Sequence, residues 1–172
     1  FSGASLLTLT TNDQGNAGAD PGLSGGPADE QDVDTVAITV TGLNDTPSLN
    51  AAPAPVLAAV NEDAGAPVGT VGTAVSSLVD LSSVLGGLDN VTDPDGPLTG
   101  IAITNLVTTN GAWWFSTNNG TNWSLVGAVT DTNALLLSTT NARLYYQPNA
   151  NSNGPVPNAV TFKAWDGFTN AT

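Results

Sequence analysis

The stretch Thr35-Val36-Ala37-Ile38-Thr39-Val40-Thr41 limits what this chain can fold into. Its apolar residues recur at every second position, so Val36, Ile38 and Val40 share one face of a strand, and a helix would scatter them. The same period returns elsewhere in short runs. Leu7 and Leu9 alternate with Thr8 and Thr10; Ile101 and Ile103 share a face within 99–106. Val160, Phe162 and Ala164 alternate with Thr161, Lys163 and Trp165. Further short strands are expected at 56–60, 68–79, 112–116, 123–129, 134–137 and 143–147. Gly, Asn, Asp and Pro separate these runs, and Asn118-Asn119-Gly120 reads as a hairpin turn. Many short strands with frequent turns predict an all-β chain, folded as a sandwich.

The strand at 35–41 runs into Leu43-Asn44-Asp45-Thr46-Pro47, followed by an Ala/Pro stretch from Ser48 to Pro55 with linker composition. Hard oxygen donors at Asn44 and Asp45, with Pro47 stiffening the exit, suit a calcium-rigidified domain junction. Residues 1–47 hold two strands, 1–13 and 35–41, joined by a long polar loop over 14–34. Two strands cannot bury a core alone. This part is therefore expected to be the tail of a preceding repeat, and 48–172 the following one. A weak internal echo agrees: Leu9 to Asp13 and Phe162 to Asp166 are both alternating strands that terminate on Asp. By that echo the second repeat lacks the counterpart of 35–41, leaving a sheet edge open to completion.

Charge narrows the function. Thirteen Asp and two Glu face one Lys (Lys163), one Arg (Arg143) and no His, for a net charge of −13. No cationic surface exists to displace counterions from nucleic-acid phosphates or to hold an anionic membrane. Such an imbalance repels itself in a compact state, and multivalent cations are the natural remedy. Most Asp sit beside Gly, Asn or Pro, in turns. There is no Cys, hence no disulfide or thiolate metal site, and no apolar run long enough to span a bilayer. Without His or Cys, nucleophile–base triads and most proton relays cannot be assembled, so no enzyme is expected.

Four motifs carry a family resemblance: the linker Leu43 to Pro47, Asn61-Glu62-Asp63, Asp93-Pro94-Asp95-Gly96, and Ala164-Trp165-Asp166-Gly167. In this order they resemble the cadherin-like repeats of very large bacterial surface proteins and adhesins, related to the VCBS and RTX-type repeat proteins. The resemblance implies an Ig/cadherin-like Greek-key β-sandwich, in tandem repeats joined by a short calcium-binding linker. It further implies a structural role in an adhesin stalk or surface fibre, outside a bacterial cell. The partners would be neighbouring repeats or other copies in a fibre. The chain departs from the eukaryotic pattern in lacking a second linker Asp and the basic-acidic motif in mid-repeat.

An up-and-down strand count gives the scattered acids a destination. It returns the Asp93–Asp95 loop and Asp166 to the linker end, where they join Asn44 and Asp45. Glu62 falls at the far end to serve the next junction, and Asp13 serves the previous one. Calcium takes roughly six to eight oxygens; magnesium prefers a tighter octahedron and fits less well. A second reading uses aromatics: Trp113 or Trp114, exposed beside Asn-rich turns, stacking on a glycan as in a carbohydrate-binding module. Being adjacent in a strand, the two rings point to opposite faces.

Overall fold

The computed structural model describes residues 3–12, 24–26, 29–83, 86–96 and 98–168, with backbone alone at 24–26 and 29–32. The chain divides into two compact units, Phe1–Asn44 and Asp45–Thr172.

The first unit is a small antiparallel sheet. β1 (Gly3–Asn12) pairs with β3 (Asp29–Val40) along its whole length, from Gly3 opposite Val40 to Asn12 opposite Gln31. β2 (Ser24–Gly26) adds to the other side of β3 at residues 29–31 only. The third strand thus starts well inside the stretch expected to be loop. Val33, Val36, Ile38 and Val40 remain exposed, as do Leu6, Leu7 and Leu9.

The second unit holds the hydrophobic core. Its strands are β4 (Ser48–Leu49), β5 (Thr73–Ala74), β6 (Val91–Thr92), β7 (Gly100–Leu106), β8 (Gly111–Ser116), β9 (Ser124–Leu125), β10 (Leu135–Ser138), β11 (Arg143–Pro148) and β12 (Val160–Trp165). They form three antiparallel sheets, ordered β10-β7-β12, β5-β11-β8-β9 and β4-β6. Among the described residues the helical content is one 3-10 turn, Val75–Ser77. The expectation of an all-β, sandwich-like architecture therefore holds.

Alternation decides which side chains enter the core. Ile101 and Ile103 of β7 are fully buried, as is Leu137 of β10, and across from them lie Trp113 of β8 and Leu144 of β11. Val75, Leu78, Val79 and Val91 close the same cluster. Burying such side chains contributes roughly 1.5–3 kcal/mol each. Val160, Phe162 and Ala164 of β12 pack against this core on one face, while Thr161 and Lys163 face out.

Three sequence expectations fail for a shared reason. Residues 56–60 form no strand, 68–79 reduces to Thr73–Ala74 followed by the 3-10 turn, and 123–129 reduces to Ser124–Leu125. Side-chain period alone makes no ladder; a strand needs a neighbour to accept its backbone bonds. Pro53 and Pro55 remove two donors just ahead of the first stretch. The hairpin signal is more accurate. Asn119 and Gly120 take φ of 54° and 91°, the left-handed region Asn and Gly tolerate. The turn wraps the buried Ser116, whose Oγ accepts the N–H of Gly120 at 2.8 Å.

Candidate functional site

The junction end of the second unit is built by the loop after β6. Asp93-Pro94-Asp95-Gly96 closes on itself, the N–H of Asp95 donating to Asp93 Oδ1 at 3.0 Å. This is the local side-chain-to-backbone turn that Asp favours. The carboxylate of Asp95 then reaches back to the linker, where Oδ2 accepts the N–H of Asp45 at 2.5 Å. Asp93 and Asp95 therefore share one loop, and through the Asp95 carboxylate that loop touches the backbone of Asp45. Asp166 follows β12, which runs antiparallel to β7. The carbonyl of Trp165 accepts the N–H of Thr99 at 3.0 Å, so Asp166 arrives at the same end of the sheet as the loop. Its Oδ1 is engaged by the N–H of Phe168 at 3.0 Å. Asn44 ends the first unit.

Glu62 lies elsewhere. Its Oε2 accepts from Asn153 Nδ2 at 3.1 Å, and Asp63 Oδ1 accepts the N–H of Asn151 at 2.8 Å. The loop holding Asn151 and Asn153 leads into the start of β12, which pairs with Leu106, the far end of β7. Asp63, held at φ 62°, shares this anchoring with Glu62, a role the Asn61-Glu62-Asp63 motif does not by itself assign to it. Asp13 lies outside the described residues.

The donor chemistry suits calcium, while the arrangement is not a finished cage. Among the described residues no three acidic side chains form a group that could hold a metal ion. The facing oxygens of Asp93 and Asp95 are taken up by backbone N–H groups of the loop and the linker. Asn118 is likewise committed to its own turn, its Oδ1 accepting the N–H of Asn122 at 2.8 Å.

The aromatic residues divide as adjacent strand positions must. Trp113 is 3% exposed, its ring 4.9 Å from that of Tyr146 and its Nε1 donating to the carbonyl of Val107 at 2.8 Å. That burial takes Trp113 out of the pair offered as a sugar platform: period two separates the rings without saying which face meets the core. Trp114, on the other face, is half-buried and donates to Gln147 Oε1 at 2.8 Å.

Among the described residues two buried side-chain polar atoms have no hydrogen-bond partner, Asp89 Oδ1 and the Tyr146 hydroxyl. Burial raises the Tyr146 phenol above its ordinary pKa. The one Arg is fully employed: Arg143 Nε and Nη2 donate to the carbonyls of Val71 and Gly72 at 2.7 and 2.8 Å, and Nη1 to Asn119 Oδ1 at 3.2 Å. Lys163 pairs with Asp131 at 2.9 Å on the exposed surface. The chain matches no protein-family model, no curated protein and no solved structure with which it was compared.

Proposed function

We propose that this chain is a structural module of an extended bacterial surface or secreted protein, a segment of an adhesin stalk or fibre. In this reading it is a Greek-key, cadherin-like sandwich in tandem with its neighbours, and calcium stiffens the junction. The observation that carries the reading is the bond from the Asp45 N–H to the Asp95 carboxylate, which ties the linker to an Asp-Pro-Asp-Gly loop. A linker held by an acidic loop, in a chain of net charge −13, is a place where a divalent cation relieves repulsion and restricts motion together. Asp45, Asp93 and Asp95 would supply the first oxygens, and Asp166 stands at the same end of the sheet.

Calorimetric titration of the full chain with calcium chloride tests this. The reading expects binding that weakens at least tenfold in the Asp93→Asn/Asp95→Asn double variant and is unchanged in Asp131→Asn, whose carboxylate pairs with Lys163. No binding heat with the native chain, or equal loss in Asp131→Asn, would overturn it.

A further inference from the structure

β12 is a sheet edge: one side pairs with β7, and the other has no ladder partner among the described residues. A groove of about 1020 Å3 runs along it, walled by Pro53, Leu57, Trp113, Tyr146, Val160 and Phe162 among others. No residue of β7 lines it, so the groove lies toward the free side of β12. The opposite wall has the character of half a strand. Pro53, Pro55 and Leu57 turn inward while Ala54, Val56 and Ala58 face out, yet the segment belongs to no sheet.

The first unit carries the complementary surplus. Its register sets Leu7 opposite Val36, Ser5 opposite Ile38 and Gly3 opposite Val40, and antiparallel partners point to the same side. Leu7, Val36, Ile38 and Val40 thus form one apolar stripe, with Leu7 57% and Ile38 46% exposed. A stripe of this kind marks an unfilled contact. Because β2 reaches only residues 29–31, the rest of β3 also has one edge without a ladder partner among the described residues.

Pairing and charge identify the occupant. β1 and β12 echo one another, Leu7 and Leu9 matching Val160 and Phe162, and β1 takes β3 as its neighbour. β12 bears the single Lys of the chain, exposed at position 163 and paired with Asp131 at 2.9 Å, a surface pair that can exchange partners, and the sequence of β3 includes Asp29, Glu30, Asp32 and Asp34.

We propose that the free edge of β12 and its groove receive β3 from a second copy of this chain. The β1–β3 pairing stays intact, and the sheet β10-β7-β12 grows by two strands. Val36, Ile38 and Val40 of the incoming copy then cover Leu57, Val160 and Phe162. Main-chain bonds along the edge give affinity, and the groove selects the alternating side chains. The contact joins two different surfaces, so it propagates head to tail. The inference goes beyond the proposed function: it names the strand and its slot and requires no calcium.

Sedimentation equilibrium of the full chain, in EDTA so that the calcium reading is not at stake, is the test. Ile38→Lys disables the donor stripe, and Thr161→Asp/Lys163→Glu makes the acceptor edge acidic. All three positions are exposed, and circular dichroism verifies folding. The native chain is expected to gain mass with concentration, and each variant alone to associate at least tenfold more weakly. An equimolar mixture of the two variants is expected to form a 1:1 complex, since one retains the groove and the other the strand. Two results would each overturn the proposal: the native chain stays monomeric to millimolar concentration, or the mixture yields no complex. Binding of a synthetic 31–41 peptide by a chain that stays monomeric would give the groove to a strand from another source.

Discussion

Asp45 and Asp95, fifty residues apart, are joined by a bond from the backbone N–H of the first to Oδ2 of the second at 2.5 Å. The carboxylate belongs to a loop already closed by the Asp93 side chain, so the linker is held by a pre-formed turn. Both residues are exposed, which limits the worth of the contact in a folded chain without bound ions.

Asp95→Ala is accordingly expected to cost only about 0.5–1 kcal/mol in urea unfolding without calcium. The same variant should accelerate proteolysis between Gly42 and Leu49, because a freed linker opens more often. Unfolding midpoints and a limited-proteolysis time course check the two halves separately.

Arg143 makes three side-chain hydrogen bonds within the second unit. Its guanidinium fastens the carbonyls of Val71 and Gly72 and reaches Asn119 in the turn that joins β8 to β9. A lysine ammonium cannot reproduce that fork. Arg143→Lys should lose about 1–3 kcal/mol of stability, a drop that urea denaturation resolves.

Tyr146 is expected to behave oppositely. Its hydroxyl is buried without a partner, so Tyr146→Phe removes an unsatisfied group and should leave stability at pH 7 within about 1 kcal/mol of native, or raise it. The raised phenol pKa sets the pH dependence. The folded state holds the proton more tightly than the unfolded chain, whose phenol ionises near 10.0. The contribution is therefore fully present below that pH and is lost as pH rises through the folded value. Unfolding measured from pH 9 upward should fall less steeply in Tyr146→Phe than in the native chain.

How much of this was legible in the sequence follows from the physics of strands. Val160, Phe162 and Ala164 announced an inward face, and β12 has one. The antiparallel return of β12 along β7 then carried Asp166 to the end where the Asp93–Asp95 loop sits. Residues 56–60 misled because side-chain period reports which face is apolar, whereas a strand also requires a backbone ladder; here the N–H of Ala58 donates to the Thr73 side chain instead. Trp113 misled for a related reason: adjacency splits two rings between faces, and only tertiary packing against Tyr146 and Val107 decides which one is covered. The commitment of the Asp93 and Asp95 oxygens to backbone N–H groups had no sequence signature beyond the turn itself.

Calcium is proposed to fix the junction between repeats. Small-angle scattering of the full chain, recorded with millimolar calcium and again after EDTA, tests it most directly when paired with a melting curve on each sample. The account predicts a longer maximum dimension with sharper features in calcium, a melting temperature higher by several degrees, and reversal of both on chelation. Superimposable scattering profiles and unchanged melting curves in the two conditions would contradict it.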